Sequence, residues 1–176
     1  ALHWAARVDN LEAVRGLLAA GADPNARNRY GVSPLALAAV NGSEPIIDTL
    51  LRAGADPNAR LPESGETVLM TAARTGKVGP LKALLVSGAA VNARETTFGE
   101  TALMWAAVEN HADAVKLLVE FGADVNARSD PTAYVRPRLG QSVLPLGSWA
   151  PLMYAARQNA ADAANALIEA GADVNL

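Results

Sequence analysis

The sequence contains no cysteine among its 176 residues. Disulfides, thiolate nucleophiles and cysteine-based zinc sites are therefore excluded, while either redox compartment remains compatible and we favour the cytoplasm slightly. Histidine is scarce too, since His3 and His111 are the only two. No apolar run approaches the roughly 18 to 20 residues of a transmembrane helix, and the formal net charge is −3 at pH 7. We therefore expect no membrane span and no nucleic-acid partner.

What the sequence does contain is one segment written several times. The residues Gly-Ala-Asp-x-Asn-Ala-Arg begin at Gly21, Gly54 and Gly122, and variant or shortened copies begin at Gly88 and Gly171. The steps between these glycines are 33, 34, 34 and 49 residues. A fixed period of this size is typical of stacked repeat proteins. The longer last step indicates an insertion of roughly 15 residues, so we look for function where the copies differ.

Two helical patterns precede each periodic glycine. In the second pattern the residues three, four and seven positions before the glycine are apolar, as in Ile47, Leu50 and Leu51, and this spacing puts them on one helix face. We predict that these faces form the core between units. The glycine ends the helix, because glycine adopts the left-handed conformation without steric cost. The acid and amide that follow, such as Asp56 and Asn58, are predicted to bond backbone groups in a turn.

The first helical pattern begins at Ser33, Thr67 and Thr101, whose side chains are suited to cap a helix, and Pro34 is tolerated at the first helical position. An alanine pair then recurs, which leaves that face thin enough for two helices to lie close together. The pairs are Ala5-Ala6, Ala38-Ala39, Ala72-Ala73, Ala106-Ala107 and Ala155-Ala156.

These segments closely resemble the ankyrin repeat, whose pattern is Thr-Pro-Leu-His-x-Ala-Ala, a second helix and then Gly-Ala-Asp-x-Asn. The matching segments are 1–6 (Ala-Leu-His-Trp-Ala-Ala), 33–39 (Ser-Pro-Leu-Ala-Leu-Ala-Ala) and 122–127 (Gly-Ala-Asp-Val-Asn-Ala). The resemblance implies an all-α solenoid of stacked helix-turn-helix units joined by β-hairpins or turns. It also implies a concave surface of hairpins and first helices that binds other proteins, with no reaction and no cofactor.

The chain departs from the family pattern at the histidine. That histidine is present at His3, whereas the other copies carry Ala36, Met70, Met104 and Met153. We interpret the three methionines as core fillers, because a thioether adapts to irregular gaps. A soft binding stripe is the alternative interpretation.

We expect one array with the insertion at residues 129–148. The first unit is expected to be truncated at its N-terminus, the chain to be a segment of a longer polypeptide, and the protein to be monomeric. The predicted units are residues 1–27, 28–60, 61–94, 95–128 and 149–176.

The few aromatic residues gather on the side that the resemblance makes concave. Trp4, Trp105 and Tyr154 precede an alanine pair, while Tyr30 and Phe98 lie in hairpins. Trp and Tyr are enriched in binding hot spots, although packing between repeats is an equal alternative for the helical positions. Variable residues after the alanine pairs, with residues of the insertion, complete the set. The candidate protein-binding residues are Tyr30, Arg74, Phe98, Trp105, Glu109, Tyr134, Arg136, Arg138, Trp149, Tyr154 and Arg157.

Four arginines occupy one hairpin position, at Arg27, Arg60, Arg94 and Arg128. Acidic residues lie close to them in sequence, and exposed ion pairs contribute little stability. We interpret these arginines as solvated charge, with contact to an acidic partner as the alternative.

The 129–148 insertion carries apolar residues and three prolines, whereas a floppy insertion is normally polar. We expect an extended hairpin that contacts a partner or covers the groove, with a structurally neutral elaboration as the alternative. Trp149 is predicted to anchor its end.

Catalysis is not indicated. His3 and His111 lie three repeats apart, which at 8 to 10 Å per packed helix is roughly 30 Å, and no phosphate loop or nucleophile motif occurs. We predict no enzyme activity, no catalytic, cofactor or metal site, and a module that binds a partner protein through its concave surface and insertion. A structural spacer or regulatory arm of a larger protein is the alternative.

Overall fold

The computed structural model of the chain describes residues 1–131 and 148–176. These residues form ten α-helices and no β-strand, and their extended pairing is limited to one antiparallel bridge between Arg60 and Thr67. The predicted all-α array is therefore confirmed, with connections that are mostly turns. The helices are α1 (Leu2–Arg7), α2 (Leu11–Ala19), α3 (Pro34–Asn41), α4 (Glu44–Arg52), α5 (Val68–Thr75), α6 (Val78–Val86), α7 (Ala102–Val108), α8 (Ala112–Glu120), α9 (Pro151–Arg157) and α10 (Ala161–Glu169).

The helices stack in two layers. The first helices α1, α3, α5, α7 and α9 each contact the next in that series, and the second helices α2, α4, α6, α8 and α10 do the same. Within a unit the two helices contact each other. The core lies between the layers and between successive units, where Ala38, Ala39, Ile47 and Leu50 are fully buried. The residue three positions before the glycine is less buried, and Ile168 is 49% exposed.

The predicted caps form at the first helices. The Ser33 hydroxyl accepts a hydrogen bond from the Ala36 N–H at 3.2 Å, and the Thr67 hydroxyl accepts one from the Met70 N–H at 3.2 Å. The Met70 sulfur in turn accepts the Thr67 N–H at 3.3 Å, the part that Glu or Gln plays in a capping box. Because Met70 is also fully buried, it is a core filler, as predicted, and a capping residue, which was not predicted.

Left-handed backbone ends the second helices as predicted. Each periodic glycine has φ between 86° and 90°. The turn after it joins neighbouring units: the Asn58 amide donates to the Gly88 carbonyl at 3.1 Å and accepts from the Ala90 N–H at 2.8 Å. Asn25 and Asn92 make the same pair of bonds to their own neighbours. The structural interpretation of these amides is therefore confirmed.

Candidate functional site

The insertion begins and ends at the stem of a turn that the other units also have. In the preceding units the Asn28 N–H donates to the Val32 carbonyl, and the Glu95 N–H to the Glu100 carbonyl. In the last unit the Ser129 N–H donates to the Trp149 carbonyl at 3.1 Å, and the Trp149 N–H donates to the Ser129 hydroxyl at 3.1 Å. Ser129 and Trp149, on either side of the inserted residues, therefore keep the stem pairing of the other turns.

Three hairpin arginines, Arg27, Arg60 and Arg128, bind carbonyl groups at these stems, whereas Arg94 pairs with the Asp130 carboxylate at 2.6 Å. Arg60 Nη1 donates to the carbonyls of Gly65 and Arg94, both at 2.9 Å, and Arg27 makes the corresponding bonds to Gly31 and Arg60. The four arginines are exposed, so their interpretation as solvated charge stays a prediction, and the carbonyl bonds of Arg27 and Arg60 add a link from one turn to the next that was not predicted. Only the recurrence of arginine at one position hinted at this, since a carbonyl acceptor leaves no mark in the side-chain sequence.

A cavity of about 290 Å³ opens between the ends of α5, α7 and α9. We call it the aromatic groove, and it brings together five of the predicted candidates, Arg74, Trp105, Glu109, Tyr154 and Arg157. Glu100, which was not among them, reaches the groove from the turn before α7. The full lining is Arg74, Glu100, Trp105, Val108, Glu109, Tyr154, Arg157 and Gln158.

The first wall of the groove is a guanidinium stacked on an indole. The Arg74 Cζ lies 5.3 Å from the centre of the Trp105 ring, within the range of a cation–π interaction. Trp105 is partly buried and packs against the core. Its Nε1 is buried and has no hydrogen-bond partner among the described residues. Trp105 therefore packs against the core and also lines the groove. The sequence alone did not decide between packing and binding at this position.

The opposite wall joins the groove to the insertion stem. The rings of Trp149 and Tyr154 meet edge to face with their centres 5.5 Å apart, and the Arg157 Cζ lies 5.1 Å from the Trp149 ring centre. Burial raises the pKa of Tyr154 to about 12, aided by a hydrogen bond to Glu100 and by the negative charges of Glu100 and Glu95, while a hydrogen bond to Ser129 opposes the shift. Trp149 thus stands at the end of the insertion and beside the groove, where we predicted an anchor.

A buried carboxylate shapes the turn beneath this wall. Glu95 is 5% exposed, and its oxygens accept the N–H groups of Thr97 and Phe98 at 2.6 Å and of Glu100 at 3.0 Å. Burial raises the pKa of Glu95, but the backbone donors lower it by more, so the pKa lies below its ordinary value. The backbone N–H groups of this turn therefore stabilise the charged form of Glu95. The same turn places Glu100 at the groove.

The remaining candidates lie elsewhere. Tyr30 is 65% exposed, with the Arg29 guanidinium 4.6 Å from its ring centre, and it does not line the groove. Phe98 is 45% exposed, and its carbonyl accepts the Asp130 N–H at 2.6 Å. The positions of Tyr134, Arg136 and Arg138 lie outside the described residues.

The two histidines bond backbone carbonyls in different units. His3 Nε2 lies 2.9 Å from the Val32 carbonyl oxygen, and His111 Nε2 lies 3.1 Å from that of Arg74. In the described residues no group of three or more His, Cys, Asp or Glu side chains could hold a metal ion. None of the helices in this part of the chain is long and apolar enough to cross a membrane.

Two stacked layers of paired helices define an α-helical solenoid, in which each unit contacts only its neighbours. A family described as ankyrin repeats (3 copies) matches residues 1–61, 53–129 and 69–176. The chain therefore belongs to the ankyrin repeat family. Proteins of this family are commonly protein–protein interaction modules and are typically not catalytic.

Proposed function

We propose that the chain is a non-catalytic module that binds an extended segment of a partner protein in the aromatic groove, with the 129–148 insertion contributing beside it. The observation that carries the proposal is the pair of arginines that border the groove. Arg74 and Arg157 each lie over an indole, and neither forms an ion pair with another described residue. Stacked arginines and aromatic rings are the residues most enriched in binding hot spots.

The position of the insertion stem supports a role for the insertion. Residues 130–148 leave and re-enter the array between Ser129 and Trp149, and Trp149 contacts both Tyr154 and Arg157 of the groove wall. The insertion therefore starts at the edge of the groove. Its own Tyr134, Arg136 and Arg138 have the composition of binding residues.

The test is recovery of a partner from extracts of the source organism by the whole chain, measured by quantitative mass spectrometry. We compare the wild type with the Arg74→Ala/Arg157→Ala variant. Both side chains are exposed, so the fold should be retained. Arg7→Ala is the matched control, because Arg7 occupies the same position in α1. We expect recovery to fall at least about tenfold in the double variant, since hot-spot truncations cost 2 kcal/mol or more.

A second variant tests the insertion. Residues 130–148 are replaced by residues 96–99 of the preceding turn, so that the stem bonds between Ser129 and Trp149 are kept. A further loss of recovery supports contact with the insertion, and unchanged recovery overturns that part of the proposal. Equal recovery by the wild type and the double arginine variant would overturn the groove assignment, and no partner in any arm would favour the structural spacer.

A further inference from the structure

We infer that the partner segment carries two acidic side chains flanking one basic side chain, with three residues from each acidic position to the basic one. This inference rests on the proposed function and deepens it by naming the chemistry of the occupant. It follows from the order of charges along the groove and from the spacing of the first helices.

The groove presents charge in the order plus, minus, plus. Arg74 lies in the last turn of α5, Glu109 caps the C-terminal end of α7 and Arg157 lies in the last turn of α9. All three side chains are exposed, and none of them forms an ion pair within residues 1–131 and 148–176. Three unpaired charges of alternating sign therefore border a single cavity.

The central charge is the informative one. Cations are stabilising at a helix C-terminus and anions are not, so the arginines suit their helices while Glu109 does not suit α7. The other groove acid, Glu100, shares a hydrogen bond with the Tyr154 hydroxyl, whereas Glu109 has no such partner among the described side chains. A basic group on the occupant would supply the missing counter-charge at Glu109.

The two arginines are prepared to bind carboxylates. Each of these guanidinium groups lies over an indole, and the planar N–H fork of a guanidinium matches the two oxygens of a carboxylate. Stacking also restricts the arginine before binding, which lowers the entropy lost when a partner arrives. Acidic groups are therefore expected on the occupant opposite Arg74 and Arg157.

The spacing of the helices sets the spacing of the occupant's charges. Packed helices lie about 8 to 10 Å apart, and α5 contacts α7 as α7 contacts α9. An occupant in the polyproline II conformation has three residues per turn and rises about 3.1 Å per residue. Residues three apart therefore share one face of the occupant, and three residues correspond to about one helix step. The expected order is Glu-x-x-Lys-x-x-Glu, with Asp or Arg as equivalents.

The experiment selects peptides from a random-peptide library on the intact chain, and it then measures two defined probes by fluorescence anisotropy. The probes are labelled peptides with the charge order Glu-x-x-Lys-x-x-Glu and its inverse Lys-x-x-Glu-x-x-Lys, otherwise identical. We expect the first order to be enriched and its probe to bind about tenfold more tightly, as three exposed ion pairs of alternating sign predict. This preference should shrink at high salt.

A charge-inverted chain, Arg74→Glu/Glu109→Lys/Arg157→Glu, should prefer the inverse probe. Glu109→Lys alone, at one exposed position, should abolish enrichment of the central basic residue if the triple variant does not fold. Arg7→Glu is the matched control and should change nothing.

Selected peptides that need Arg74 and Arg157 but show no charge order would overturn this inference and leave the proposed function standing. If the inverted chain selects the same peptides as the wild type, Arg74 and Arg157 do not determine binding, and both the inference and the proposed function fail. If the double alanine variant enriches the same peptides as the wild type, the groove is not the binding site, and both the inference and the proposed function fail.

Discussion

At the scale of single residues, the fold changes the pKa of two side chains, Tyr154 in the wall of the aromatic groove and Glu95 beneath that wall. Glu95 accepts three backbone N–H bonds in its turn, and Tyr154 shares a hydrogen bond with Glu100. The two effects have opposite signs. Glu95 holds a charge and Tyr154 holds its proton, so each can be tested by titration.

Glu95→Gln should destabilise the protein at neutral pH by about 1 to 3 kcal/mol, because a neutral amide replaces an acceptor of charge-assisted bonds. The folded pKa of Glu95 lies below its ordinary value of 4.5. Its contribution is therefore fully present above pH 4.5 and is lost as the pH falls through the lowered pKa. Melting temperatures of both proteins, measured by circular dichroism, should converge in acid. Glu63→Gln, at an exposed turn residue, is the control, and a gap that persists at low pH would contradict this account.

Tyr154 should titrate with a midpoint near pH 12, seen as phenolate absorbance that Tyr154→Phe removes and Tyr30→Phe leaves in place. Because the folded pKa is raised above the ordinary value of 10, the stability linked to the neutral hydroxyl is complete below pH 10. It declines as the pH rises towards 12. If the component that Tyr154→Phe removes had its midpoint at pH 10, the burial of the Tyr154 hydroxyl and its contact with Glu100 would both be refuted.

The sequence could predict Trp105 and Tyr154 as groove residues, because they share one position in the repeat. It could not decide between binding and packing, since that depends on how α5 and α9 lie against α7. Glu100 escaped prediction for the same reason. Its relation to Tyr154 joins two repeats and leaves no local pattern.

At the scale of elements, the turns contain glycines in the left-handed conformation, and neighbouring atoms leave little room for a side chain there. Gly65 has φ of +67°, and a Cβ added there would lie 2.6 Å from Thr96 Cγ2. Gly16 lies inside α2 with no atom within 4 Å of an added Cβ. Gly65→Ala should therefore cost about 1 to 2 kcal/mol, whereas Gly16→Ala should stabilise by about 1 kcal/mol. Denaturant unfolding measures both, and equal signs would refute the comparison.

The features of the helices and turns that the sequence could predict are those that recur from repeat to repeat. The caps at Ser33 and Thr67 and the periodic glycines follow from local stereochemistry. Ser148 shows where this fails: with φ of +56° it stands where Gly31 and Gly65 stand in other turns, and Arg128 Nη1 bonds its carbonyl at 3.0 Å. The insertion had hidden this equivalence, because register in the sequence is lost across it.

At the scale of the whole molecule, a stack of units transmits stability only between neighbours. Leu84 in α6 and Leu167 in α10 occupy the same repeat position, four residues before a periodic glycine, and both are fully buried. Leu-to-Ala changes in cores cost about 2 to 5 kcal/mol. The two substitutions are chemically identical. Any difference in which helices they destabilise therefore depends on the position of the unit in the array.

Hydrogen exchange with mass spectrometry should separate the two variants. In Leu84→Ala, protection should fall in α6 and also in α4 and α8, because both pack against α6. In Leu167→Ala, the loss should be confined to α10 and to α7, α8 and α9, the described helices that pack against it. The aromatic groove is lined by α5, α7 and α9. Each substitution would therefore destabilise the groove through a different set of helices. A uniform loss of protection in both variants would instead mean that the array unfolds as one cooperative body, and binding would report on every unit equally.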